Sequence, residues 1–165
     1  MKKTQTLRRG EVLVMKVVEA GGGSYNGFIW PTTVGAEVVA PDWKPTASGG
    51  NGLHGWLWGL GDLGVCNGRD ALADAVWMAL AVIATDVVDL RGKVKFPRCR
   101  IVATGDRTAI ANFIAARRPA NTPVPMFGQA AAGSRGQAAA GEAGQAAAGS
   151  RGQAPAGYAG QAAAG

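Results

Sequence analysis

Apolar positions cluster in short runs along the first two thirds of the chain, and the runs differ in period. Glu11 to Val18 (EVLVMKVV) is dense in β-branched residues and runs out at Gly21-Gly22-Gly23, which predicts a strand followed by a turn. Gly27 to Trp30 and Ala36 to Ala40 are two further short strand candidates, the second stopped by Pro41. From Pro41 to Gly64 the pattern loses its period and turns Gly-rich. That composition predicts a long ordered loop pinned by Trp43, Trp56 and Trp58. Ala71, Leu72, Ala75, Val76, Ala79, Leu80 and Ile83 recur at helical spacing, yet Val76 to Ile83 reads equally well as a buried strand. Lys93-Val94-Lys95-Phe96 alternates charged and apolar residues as an exposed strand does, and Arg100 to Ala103 continues as a strand beyond Pro97. Asp106 offers an N-cap for a helix over Thr108 to Arg117, with Ile110, Phe113 and Ile114 on one face and Pro119 as its stop.

After Gly128 the period changes to eight. The chain reads GQAAAGSR, GQAAAGEA, GQAAAGSR, GQAPAGYA and GQAAAG. Glycine recurs at Gly128, Gly136, Gly144, Gly152 and Gly160, and again at Gly133, Gly141, Gly149, Gly157 and Gly165. Glutamine follows at Gln129, Gln137, Gln145, Gln153 and Gln161. Ser134-Arg135 returns at Ser150-Arg151, which adds a sixteen-residue period. These features predict short Gln-Ala-Ala-Ala strands that present glutamine on a face, turned at glycine corners. Two octads close each coil of a thin β-solenoid whose interior accepts only alanine-sized groups. A disordered Ala/Gly/Gln linker and silk-like packing are the alternatives, and the glycine spacing excludes collagen.

The expected organisation is thus an α+β globular domain with a mostly antiparallel sheet (residues 1–118), a Pro-rich connector (119–127) and an octapeptide-repeat β-solenoid of 16-residue coils (128–165). The first segment holds every Trp, both Cys and the one His, so the apolar core belongs there.

Charge and chemistry narrow the function classes. The net charge of +6 is carried mainly by residues before the repeat. Aromatic residues do not interleave with the basic ones as a stacking platform requires, which argues against nucleic acid as a partner. Cys66 and Cys99 are too few for a metal or disulfide framework, and no metal or cofactor is implied. The basic N-terminus lacks an apolar segment behind it, and the longest apolar stretch is too short to span a bilayer. A soluble, cytoplasmic protein with no membrane partner is expected. His54 is the catalytic candidate, with Asp42, Asp62 and Cys66 as possible partners and Gly52 and Gly55 leaving room for a ligand. Its alternative role is to tie down the tryptophan loop through ring-nitrogen hydrogen bonds.

The string VVAPDWKPTASGGNGLHGWLWG, ending at Gly59, together with Asp86 to Arg98, resembles an uncharacterised domain of bacteria and their phages. In that family a Gly-(Leu/Phe)-His core precedes short Gly-rich repeats. The resemblance covers roughly residues 10 to 118 and implies that Val76 to Ile83 is a strand; it implies no activity. The octad resembles the ice-nucleation protein repeat, with Ala156 to Ala163 matching an Ala-Gly-Tyr-Gly-Ser-Thr-x-Thr pattern; Gln161 and Ala163 stand at its threonine positions. The first expectation is a non-enzymatic structural or interaction protein that caps a repeat and self-associates as a homo-oligomer through the open solenoid end. The alternatives are a small-molecule-binding or enzymatic domain built on the His54 loop, and ice or surface binding by the repeat.

Overall fold

The computed structural model describes residues 4–132, 145–148 and 161–164. Seven strands form one open antiparallel sheet: β1 (Glu11–Val18), β2 (Glu37–Val39), β3 (Leu53–Leu57), β4 (Val76–Ile83), β5 (Val88–Asp89), β6 (Val94–Phe96) and β7 (Arg98–Gly105), in the order β2-β7-β4-β1-β3-β6-β5. β1 and β4 pair along their full length, from Glu11 opposite Ile83 to Val18 opposite Val76. The one α-helix among the described residues, α1 (Arg107–Ala115), follows β7. The Asp106 side chain accepts a hydrogen bond from the Ala109 amide, capping one of the four N–H groups a helix start leaves unpaired.

Both faces of the central strands are covered. On one face Leu13, Met15, Val17, Trp77, Ala79 and Ala81 pack beneath Ile110, Phe113 and Ile114 of α1. On the other Val14, Val18, Met78, Leu80, Val82 and Ile101 cluster with Trp30, Val38 and Ala40. This two-sided burial explains why Val76 to Ile83 carries no alternation and imitates a helix: both pleat directions are apolar. The ladder between β4 and β7 shifts register at Ala79/Leu80, leaving Val102 as the extra residue of a bulge. Its carbonyl accepts from the Gln5 amide instead. The same N-terminal segment supports a buried ion pair in which Arg100 donates to Glu11 at 2.8 Å and to the Thr6 carbonyl.

Two local expectations change. The loop expected over 41–64 contains β3, whose LHGWL sequence lacks β-branched residues and so gives no strand signal. Gly27 to Trp30 forms only an isolated bridge, Gly23 opposite Ile29. The Pro-rich segment packs on the domain: Val124 and Met126 are buried, and the Met126 amide donates to the Gly59 carbonyl at 2.9 Å.

The expected fold class, an α+β domain continuing into a β-solenoid of 16-residue coils, requires correction. The described residues form an open antiparallel sheet with one helix, and no solenoid is evident among them. Beyond Gly128 three strands, β8 (Gln129–Ala132), β9 (Gln145–Ala148) and β10 (Gln161–Ala164), make a separate parallel sheet in the order β10-β9-β8. Gln129, Gln145 and Gln161 share one register position, as do the alanines that follow. The intervening octads, with Gln137 and Gln153, lie outside the described residues. So do Gly133, Gly136, Gly141, Gly144, Gly149, Gly152, Gly157, Gly160 and Gly165 of the expected corners. Gly128, the one described, is buried where a Cβ would meet a Val124 methyl at 2.8 Å. The physical reason for the overreach is that alanine and glycine constrain strand spacing but supply no side chain that dictates closure of a coil.

No helix among the described residues is long and apolar enough to cross a membrane.

Candidate functional site

The domain carries one large cleft, and strand divergence opens it. β1 and β3 pair only at Val14–Leu57 and Met15–Trp56. Beyond that point β1 stays with β4, while Leu53, His54 and Gly55 of β3 pair with Phe96, Lys95 and Val94 of β6. Gly55 closes the junction: a Cβ there would lie 2.5 Å from both the Met15 carbonyl oxygen and a Val14 methyl. The gap between the parted strands is a cleft of about 990 Å³, lined by Lys16 and Val17 from one side and Leu53 to Trp56 from the other. The 24–30 segment, Pro41 and Asp42, the 49–52 loop, Val65 to Asn67, Arg69 and Lys93 complete its walls.

His54 lies in this cleft, which Asp42 and Cys66 also line. Its buried Nε2 has no hydrogen-bond partner among the described residues. Burial, followed by the nearby positive charges of Lys93, Lys16 and Lys95, pulls its pKa down from 6.5 to about 4, against a smaller opposing pull from Asp42. The ring is therefore neutral at pH 7.

The expected partners are engaged elsewhere. Asp62 caps a turn by accepting from the Gly64 amide at 2.8 Å. Asp42 accepts from the Asn51 side chain. The Cys66 thiol donates to Asp70 at 2.8 Å, and burial raises its pKa, which disfavours a nucleophilic thiolate. Gly52 and Gly55 line the cleft, and neither position has room for a side chain. Gly52, at φ +149°, has the Trp43 ring 3.0 Å from where a Cβ would stand, and Gly55 has β1. Among the described residues none of these groups hydrogen-bonds His54 Nε2.

The 46–50 loop is ordered by a different residue. Lys95, expected on an exposed strand, is fully buried. Its ammonium donates to the Ser48 carbonyl at 2.9 Å, to Gly50 O at 3.3 Å and to the Thr46 hydroxyl at 3.4 Å, and it faces the Trp43 ring at 5.8 Å. A buried cation needs such a set of acceptors to offset its lost hydration. The loop-fastening role considered for His54 thus belongs to Lys95.

Sequence reasoning also misses Lys16. Burial, then the charges of Arg69 and Lys93, lower its pKa from 10.5 to about 8. Its ammonium lies 5.1 Å from the Trp30 ring centre. A lone cation inside an apolar strand is the signal that would have found it. No group of three or more His, Cys, Asp or Glu side chains placed to hold a metal occurs among the described residues.

The repeat is the second candidate. Its described strands align Gln129, Gln145 and Gln161 across a parallel sheet, and Gln161 is exposed.

Comparison with known proteins finds an ice nucleation protein of Pseudomonas syringae that is 36% identical over 117 residues, covering 68% of this chain and 9% of that protein. One from Xanthomonas campestris pv. translucens is 32% identical, covering 66% and 7%. One from Pseudomonas fluorescens is 31% identical, covering 66% and 9%. The chain therefore has an ice-nucleation-like relationship, while spanning under a tenth of the length of these relatives. An alignment of 117 residues cannot be contained in the 38-residue repeat, so most of it falls on the preceding domain. No family model and no solved structure matches the chain.

Proposed function

We propose that the chain is a non-enzymatic protein that binds or nucleates ice through its repeat, with the antiparallel domain as the folded support from which the repeat starts. The observation that carries this reading is the in-register pairing of β8, β9 and β10. Parallel strands stack about 4.8 Å apart, so one residue type at one register position becomes a regular row of identical polar groups. Such a row holds water molecules at a fixed repeat, which a surface needs in order to template ice. The ice-nucleation-like relationship supports the same reading.

Droplet-freezing and ice-growth measurements test it. The chain should raise the freezing temperature of water droplets or reshape growing ice, and Gln129→Lys, Gln145→Lys and Gln161→Lys together should abolish that effect by breaking the row. If the triple variant acts on ice as the parent does, the glutamine row is irrelevant. As a second part of the proposal, β10 at the edge of its sheet receives a further strand from another copy. Sedimentation at rising micromolar concentration should show larger species, and a strict monomer throughout would remove this part.

A further inference from the structure

Two cations face a cleft whose one lining carboxylate among the described residues, Asp42, accepts from the Asn51 side chain and forms no ion pair with either. Lys16 and Lys93 both line it, and neither forms an ion pair among the described residues. Arg69, the third, is held by Glu19 at 3.2 Å. Lys16 is half-buried and feels the positive charge of both others. Holding an ammonium in such surroundings is costly unless an anion joins it. Lys95 solves the same problem with three oxygen acceptors, whereas Lys16 has only the face of Trp30.

The wall beside these cations is aromatic and rigid. The Trp30 indole N–H donates to the Ser24 hydroxyl at 3.1 Å, and that hydroxyl donates to the Phe28 carbonyl at 2.9 Å. Phe28 meets Trp30 edge to face at 5.7 Å. An aromatic wall suits a flat C–H-rich surface, and the side-chain amide of Asn67 in the cleft lining suits hydroxyl groups.

We propose that this cleft binds a small hydroxylated anion, namely a sugar bearing a phosphate or a carboxylate. The charged group lies between Lys16 and Lys93, with Arg69 beside it. The sugar ring lies against the half-buried Phe28, which the buried Trp30 backs edge to face. The cleft volume of about 990 Å³ accommodates a ligand of that size with solvent. The proposal is independent of the ice-binding reading, because no described residue of the repeat lines the cleft.

Calorimetric titration of the full chain with glucose 6-phosphate, glucuronate, inorganic phosphate and glucose tests it. A charged sugar should bind, and glucose should bind at least about tenfold more weakly. The stronger of the two charged sugars identifies the anionic group. Lys16→Met and Lys93→Gln should each lower affinity about tenfold while circular dichroism and melting stay those of the parent. If Lys16→Met fails to fold, Lys93→Gln, at a half-buried position, carries the comparison. No binding of either charged sugar at millimolar concentration overturns the proposal. Inorganic phosphate binding as tightly as the sugar phosphate overturns it too, as does unchanged affinity in the folded lysine variants.

Discussion

The domain and the repeat solve strand pairing in opposite ways. In the domain each strand has its own sequence, neighbours run antiparallel, and partners come from distant parts of the chain, as when Glu11 meets Ile83. In the repeat the paired strands are identical, parallel and sixteen residues apart. Register in the domain is fixed by which large side chain fits which face, because a one-residue slip would move every core residue to the wrong side. In the repeat any shift by a whole period places glutamine beside glutamine again. The first arrangement builds an irregular surface with a cleft; the second builds a uniform row. The difference predicts that single substitutions matter greatly in one region and little in the other.

Trp77→Ala should show the largest effect. Trp77 is 2% exposed, stacks on Trp56 at 6.3 Å and meets Phe127 edge to face at 5.5 Å. Removing a buried aromatic of this kind costs about 3–5 kcal/mol. Denaturant unfolding should register a loss of that order. A loss under about 1 kcal/mol would mean that the tryptophan stack does not specify the domain.

The same contrast explains what the sequence reveals. Glu11 to Val18 and the helix capped by Asp106 are local patterns, and each has a structural counterpart at that place. The cleft is not local. It arises where β3 leaves β1 for β6, a choice made by residues some forty positions apart, and no window of sequence contains it. Lys95 misleads for a related reason. Alternation assigns it to solvent, but the 46–50 loop folds over it and turns an outward position into a buried one. His54 is legible as a lone histidine in a Gly-rich stretch, whereas the engagement of Asp42, Asp62 and Cys66 with other groups depends on hydrogen bonds formed elsewhere.

Acid titration gives the intermediate effect, again confined to the domain. The folded-state pKa of His54 is about 4, below its ordinary value of 6.5, because of burial and then Lys93, Lys16 and Lys95. As pH falls, the unfolded chain takes up this proton first. The contribution is therefore fully present above pH 6.5 and is lost progressively as pH falls toward 4. The loss should be about 1–2 kcal/mol, less than the whole shift would give, since the ring is only half-buried and partly screened. Carboxylates titrate in the lower part of this range, so the readout is the difference between the parent and His54→Gln, whose stability should slope less from neutral pH down to pH 4. Parallel curves for the two would show that the histidine is not held neutral by its surroundings.

The smallest effect should come from the largest deletion. Removing residues 129–165 takes away every repeat strand but leaves the elements that close the domain: Val124 and Met126 stay buried, the Met126 amide keeps the Gly59 carbonyl, and Phe127 keeps Trp77. The described strands of the repeat pair only with one another, in a sheet separate from that of the domain. Unfolding of the truncated chain should therefore change by less than about 0.5 kcal/mol, as for a change outside the core. A loss above about 2 kcal/mol would show instead that the repeat completes the domain's fold. The contrast between a specified domain and an interchangeable repeat would then fail at the junction, where Phe127 and Gly128 lead into β8. Comparing this deletion with Trp77→Ala in one denaturant series reads both sides of that contrast under the same conditions.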